Sequence, residues 1–243
     1  MSSDIKLAVI LAAGQGLRFG PDGLTSPKGL IEVGGKSLIE RSIEFLQCSG
    51  IQRIIVVTGH LAHIYADRLD RIKDIDFIFN AGYKDSGSMQ SLSLCDSFIS
   101  EDFMLLDSDI IYEPGILHSM LNHGGKNSIA ISHITHAGDE VWVQGTKNRV
   151  TSLCKKFDNT GEPLLGEFTG ISKVSRVMLD ALLKIDGANQ PIRTSEYEDF
   201  LTAVAAQIVI EPVNIKNAKW GEVDTPEQLE RVRREFSRQN SRK

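Results

Sequence analysis

The sequence predicts an α/β fold: a mostly parallel central sheet flanked by helices, with a smaller antiparallel β extension. Three observations predict it. The first 110 residues alternate short apolar runs with helical periodicity, the rhythm of strands covered by helices on both faces. The runs are brief and rich in Val and Ile, which favours buried strands over helices. From Ile129 onward, alternating or β-branched segments follow one another with few long helical patterns between them, as antiparallel strands do.

Leu7 to Leu11 is the first buried strand. Ser37 to Gln47 places Leu38, Ile39, Ser42, Ile43 and Leu46 on one helical face, and Gly50 stands where that helix stops. Arg53 to Thr58 is the second strand, His60 to Leu69 a helix and Asp76 to Phe79 a strand. Ser88 to Phe98 reads as a helix, and Phe103 to Leu106 as a strand ending in acids. The extension comprises Ile129 to His133, Glu140 to Gly145, Arg149 to Cys154 and Gly166 to Ile171. Helices at Val174 to Ile185 and Tyr197 to Ala206, a strand near Ile208 to Pro212 and a helix opened by Pro226 complete the chain.

Composition narrows the function. With 41% hydrophobic and 24% charged residues, the 243-residue chain can bury a sizeable core, which excludes disordered and coiled-coil classes. A net charge of -5 supplies no basic field for a phosphate backbone, so nucleic acid is not expected as a partner. Ile5 to Ala13 is far shorter than the roughly 20 residues of a membrane span. It also lacks a signal cleavage pattern, so no membrane association is expected. Cys48, Cys95 and Cys154 form neither a disulfide framework nor a zinc pattern, and a cytoplasmic location is expected. His60 with His63 and His133 with His136 lack a third ligand and are read as ordinary histidines.

The most informative stretch is Leu11-Ala12-Ala13-Gly14-Gln15-Gly16-Leu17-Arg18-Phe19-Gly20. Glycines directly after a buried strand let backbone N–H groups approach an anion, so the loop predicts phosphate binding. Phe19 occupies the third glycine position of a dinucleotide fingerprint, and no Gly-Lys-Ser/Thr closes a P-loop. Both of those nucleotide classes are excluded. Arg18 in the loop, and Lys28 within Pro27-Lys28-Gly29, supply a planar fork and a mobile point charge suited to phosphoryl transfer.

Two acidic segments complete the pattern. Asp107 and Asp109 close an apolar strand, on one side if the strand continues and apart if the chain turns. Asp224 lies in Trp220-Gly221-Glu222-Val223-Asp224-Thr225-Pro226, just before a helix. A triphosphate calls for a hard cation such as Mg2+ held by one or two carboxylates.

The run L-A-A-G-x-G-x-R followed by P-K resembles the signature of nucleotidyltransferases that join a nucleoside triphosphate to a phosphorylated small molecule. The resemblance implies a Rossmann-like nucleotidyltransferase fold with Mg2+ held by Asp109 and Asp224. It implies a nucleotide site of Leu11, Ala12, Ala13, Gly14, Gly16, Lys28 and Asp107, with Lys28 and Arg18 as catalytic cations. Residues 1–243 then form one domain, 1–112 its nucleotide half and 113–243 its acceptor half.

S-G-S-M-x-S-L, at residues 86–92, looks like the cytidylyltransferases acting on phosphocholine and, more closely, on 2-aminoethylphosphonate. It implies Gly87 and Ser88 as cytosine contacts and CTP as the donor. Such acceptors pair a cation with a phosphate or phosphonate, so acids or aromatic faces are expected around the cation. Glu140, Trp142, Glu167 and Glu198 are the candidates, and Gly166-Glu167-x-x-Gly170-Ile171-Ser172-Lys173 is similar to the aminoethylphosphonate enzymes. Phosphocholine or a sugar-1-phosphate is the alternative acceptor, and a nucleotide-sensing module without turnover is the alternative class. Sequence allows a homodimer without fixing the oligomeric state.

Overall fold

The computed structural model describes residues 4–20, 25–138, 140–156, 162–185, 191–215 and 217–236. In the first half, strands β1 (Leu7–Ala12), β2 (Glu32–Val33) and β3 (Lys36–Ser37) precede helix α1 (Leu38–Cys48). There follow β4 (Arg53–Thr58), α2 (Ala62–Leu69), β5 (Ile75–Phe79), α3 (Ser88–Ser93), β6 (Phe103–Asp107), β7 (Ile110–Tyr112) and α4 (Gly115–Asn122). The second half contains β8 (Ser128–Ser132), β9 (Trp142–Thr146), β10 (Arg149–Cys154), β11 (Leu164–Val174), α5 (Arg176–Lys184) and α6 (Tyr197–Ala205). It closes with β12 (Glu211–Asn214), β13 (Trp220–Glu222) and α7 (Pro226–Phe236).

One sheet joins both halves in the order β10-β9-β11-β6-β1-β4-β5, with β8 attached to β11 and β12 to β8. β1 lies in parallel register between β4 and β6, Leu7 opposite both Arg53 and Phe103. β11 runs antiparallel to β6, β8 and β9 and carries the extension. β12 pairs parallel with β8.

Alternation along β1 feeds two cores. Leu7, Val9 and Leu11 face one layer, with Met89 and Leu92 of α3 and the apolar sides of α5 and α6. Ala8, Ile10 and Ala12 face the other, against Ile39, Ile43 and Leu46 of α1. A capping box opens α1: Glu40 donates its N–H to Ser37 Oγ, and Ser37 donates its N–H to Glu40 Oε2.

The expected helix at His60 begins at Ala62, because Leu61 is left-handed with φ 53. The expected helix Ser88 to Phe98 breaks into α3 and a 3-10 turn over Asp96–Phe98. The strand expected at Ile208 starts at Glu211, and the one at Gly166 spans eleven residues, Leu164–Val174. Periodicity alone had no means of finding β7 or β13, since three-residue strands carry no period.

Those two short strands matter most for function. β13 pairs antiparallel with β7, Glu222 opposite Ile110, and Val223 N–H donates to Asp109 O at 2.9 Å. Beneath them lies a third core of Phe19, Val33, Leu38, Ile111, Val223, Leu229 and Val232. Phe19, the residue that breaks the dinucleotide fingerprint, is thus the anchor tying the glycine loop to the segment carrying Asp224. Phe19→Ala should lower stability by about 3 kcal/mol in urea denaturation. An unchanged midpoint would show that the loop is not held by this cluster.

Candidate active site

A cavity of about 470 Å3 opens at the carboxyl ends of β1 and β6, lined by Leu11, Ala12, Ala13 and Gly14 of the loop. A Cβ on Gly14 would meet no protein atom within 4 Å, so the fold itself does not require glycine there. The space in front of it is open to a ligand. Gly16 lies off the cavity lining and serves the turn, with φ 65 and its carbonyl accepting Phe19 N–H at 2.9 Å.

Lys28, Asp109, Glu222 and Asp224 meet in the lining of the cavity. Lys28 Nζ donates to Asp109 Oδ2 at 2.5 Å and to Asp224 Oδ1, while Arg18 pairs with Asp224 Oδ2. Burial pulls the Lys28 ammonium down, but the charges of Asp109 and Asp224 outweigh it and hold the group above the ordinary lysine range. Tyr65 steadies the turn bearing Lys28 by accepting Gly29 N–H at 3.2 Å. Acids 115 residues apart therefore converge, because the β7–β13 register brings them there.

Carboxylate oxygens of Asp109, Glu222 and Asp224 lie within 4.8 Å of one another. All the donors are hard oxygens, and two of them already close on a single cation, the Lys28 ammonium, so the set fits Mg2+. Glu222 was not singled out in the sequence. Only its position opposite Ile110 in the ribbon reveals it.

A turn at 108–109 separates the two acids of the β6 end. Asp109 faces the cationic cluster, whereas Asp107 accepts from Tyr197 Oη at 3.4 Å. Burial, then the neighbouring charges of Asp109, Glu198 and Glu196, keep the Asp107 carboxyl well above the usual range.

Gly87 and Ser88 line the cavity, but their polar atoms are engaged. Gly87 N–H donates to Arg193 O at 2.9 Å, Ser88 N–H to Glu196 Oε2 at 2.8 Å, and Ser88 Oγ accepts Tyr197 N–H at 2.9 Å. They line the cavity with no free backbone N–H at either residue.

Of the expected acceptor residues, Glu167 and Glu198 line the cavity and Glu140 and Trp142 do not. Glu140 is buried in its own turn and accepts Gly138 N–H at 3.2 Å, and Trp142 sits in β9 opposite Cys154 and Glu167. Val141, between them, reaches the cavity instead. Glu167 is held by Thr135, whose N–H and hydroxyl donate to it at 2.7 and 3.1 Å. Glu198 approaches Lys155 Nζ at 3.5 Å, and burial raises its carboxyl to about 7. Neither histidine pair belongs to the one acidic cluster among the described residues that could hold a metal.

Residues 8–213 match the MobA-like NTP transferase domain. The chain belongs to that family. Among curated relatives, it is 28% identical over 229 residues to a bifunctional IPC transferase and DIPP synthase of Thermococcus kodakarensis, covering 93% of this chain and 50% of that protein. It is 33% identical over 129 residues to a choline-phosphate cytidylyltransferase of Haemophilus influenzae, covering 53% and 54%. A CMP-5'-(3-aminopropyl)phosphonate synthase of Streptomyces rubellomurinus is 27% identical over 128 residues, covering 51% and 20%. The chain thus spans about half or less of the length of these relatives. The solved inositol-1-phosphate CTP transferase of T. maritima superposes with a TM-score of 0.79 at 20% identity, covering 96% of each chain, which establishes the shared NTP transferase fold. No described helix is long and apolar enough to cross a membrane.

Glu198 carries a cost that this family member's stability should reveal. Its carboxyl rises from the ordinary 4.5 to about 7 on folding, so the folded state holds the proton more tightly than the unfolded chain. The stability this gives is complete below about pH 4.5 and is lost as pH rises through about 7. Glu198→Gln should therefore match wild type at pH 4.5 and exceed it by roughly 1–3 kcal/mol at pH 8. Parallel pH curves for the two proteins would contradict the burial of this charge.

Proposed function

We propose that the chain is a Mg2+-dependent cytidylyltransferase that joins CTP to 2-aminoethylphosphonate, giving CMP-2-aminoethylphosphonate and pyrophosphate. The observation that carries this is one cavity lined by two kinds of charged group. Lys28 and Arg18 stand with a carboxylate cluster, and Glu196 and Glu198 line the same cavity beside Asp107. The first group suits a metal-bound triphosphate, and the second suits an ammonium group. The cytidylyltransferase and aminopropylphosphonate synthase among the relatives support CTP as donor and a phosphonate as acceptor.

Backbone groups from Leu11 to Gly14 bind the triphosphate, and Asp109, Glu222 and Asp224 would hold the ion. When bound, Mg2+ neutralises charge on the phosphate oxygens. A phosphonate oxygen attacks the α-phosphorus in line; the new P–O bond forms as the bond to the bridging oxygen breaks, and pyrophosphate leaves. No proton has to be removed, because the attacking oxygen is already anionic at neutral pH. Lys28 and Arg18 position the triphosphate and offset charge as it shifts to the leaving group.

A second reading has its own support: the match to the inositol-1-phosphate transferase spans nearly the whole chain, which favours a polyol phosphate as acceptor. Pyrophosphate release should be measured with four nucleoside triphosphates against 2-aminoethylphosphonate, phosphocholine and inositol-1-phosphate. CTP with 2-aminoethylphosphonate should give the highest kcat/KM, and Lys28→Ala should lower kcat at least ~100-fold. Faster turnover of inositol-1-phosphate would move the assignment to the second reading. CTP binding without pyrophosphate release from any pair would make the chain a sensing module.

A further inference from the structure

Two segments more than a hundred residues apart are stitched together across the cavity wall. Gly87 and Met89 N–H groups donate to the carbonyls of Arg193 and Ser195, at 2.9 and 3.2 Å. Ser88 N–H donates to Glu196 Oε2 at 2.8 Å, and Tyr197 N–H returns a bond to Ser88 Oγ at 2.9 Å. The approach is so close that a Cβ on Gly87 would collide with the Ser195 carbonyl, although the Gly87 backbone is ordinary. Packing, not conformation, demands glycine here.

Glu196 is the pivot. Its side chain holds Ser88, while its own N–H donates to Asp199 Oδ2 at 3.0 Å and so fixes the first turn of α6. That turn carries Tyr197, which reaches Asp107, and Glu198, which faces the cavity beside Lys155. Among these bonds, Glu196 is the residue that touches both the segment 87–89, through its side chain, and the turn carrying the cavity acids, through its N–H.

We propose that Glu196 is a positioning residue that couples the two substrate subsites, so that filling the acidic subsite orders the 87–89 segment for the nucleotide, and the reverse. The inference rests on the cytidylyltransferase reading and gives it a mechanism for coupling between the two substrates. Coupling between sites is reciprocal, so each substrate must tighten the other by the same factor.

Calorimetry of α,β-methylene-CTP with Mg2+, with and without saturating acceptor, reads this factor directly; the acceptor is the one that turns over in the pyrophosphate assay. In the wild type the acceptor should tighten CTP-analogue binding roughly fivefold or more. Glu196→Ala should reduce the factor below about twofold and raise KM for both substrates more than it lowers kcat. Glu196→Gln, which keeps an oxygen toward Ser88 N–H, should retain the coupling. Hydrogen exchange of the wild type needs no variant to fold: acceptor alone should slow exchange at the Gly87 and Met89 amides. Independent binding in the wild type, or acceptor that leaves those amides unchanged, overturns the coupling while leaving the transferase reading intact. Failure of the CTP analogue to bind at all overturns the transferase reading instead.

Discussion

The active site depends on the two-stranded ribbon of β7 and β13. Its register sets Glu222 opposite Ile110, and the Val223 N–H on Asp109 O continues the pairing to the point where Asp109 and Asp224 meet. Nothing local in either segment would hold two carboxylates so close, because their mutual repulsion opposes it. The ribbon and its small core, including Phe19 and Val223, overcome that repulsion with backbone hydrogen bonds and buried apolar surface, and Lys28 and Arg18 neutralise what remains. The cations that would serve a triphosphate are thus the same groups that keep the acid cluster stable without one.

A similar tension runs through the other acids of the cavity. Asp107, Glu196 and Glu198 lie near one another, and burial already disfavours the charged forms of Asp107 and Glu198. Lys155 relieves Glu198 only from 3.5 Å, with its own side chain half exposed. Buried acids with so little compensation are costly unless a positive charge pairs with them. Keeping Glu198 buried at the cavity costs the folded chain stability near neutral pH.

Much of the fold was legible in the sequence, and the reason is periodicity. Leu7 to Leu11 and Arg53 to Thr58 read as buried strands because both faces are covered by helices, and α1 announced itself through a face of four apolar residues and Ser42. The glycine loop and its two cations stood out in the sequence by their motif, and the structure brings Gly14, Arg18 and Lys28 to one cavity. Features made by tertiary contact were not. Glu222 became a metal candidate only through ribbon register, Tyr65 through its bond to Gly29, and Glu196 through its reach to Ser88. The acidic residues of the second half looked alike in sequence, yet Glu140 is consumed by its own turn while Glu198, nearly sixty positions later, faces the cavity.

The central claim is that acids from two remote segments form one divalent-cation site. Mn2+ titration followed by electron paramagnetic resonance, with CTP present, tests it most directly. Asp109→Asn and Asp224→Asn should each weaken Mn2+ binding at least ~10-fold, and the double variant should lose little more than either alone, because the two act as a unit. Wild-type Mn2+ affinity in a folded Asp224→Asn protein would contradict the account.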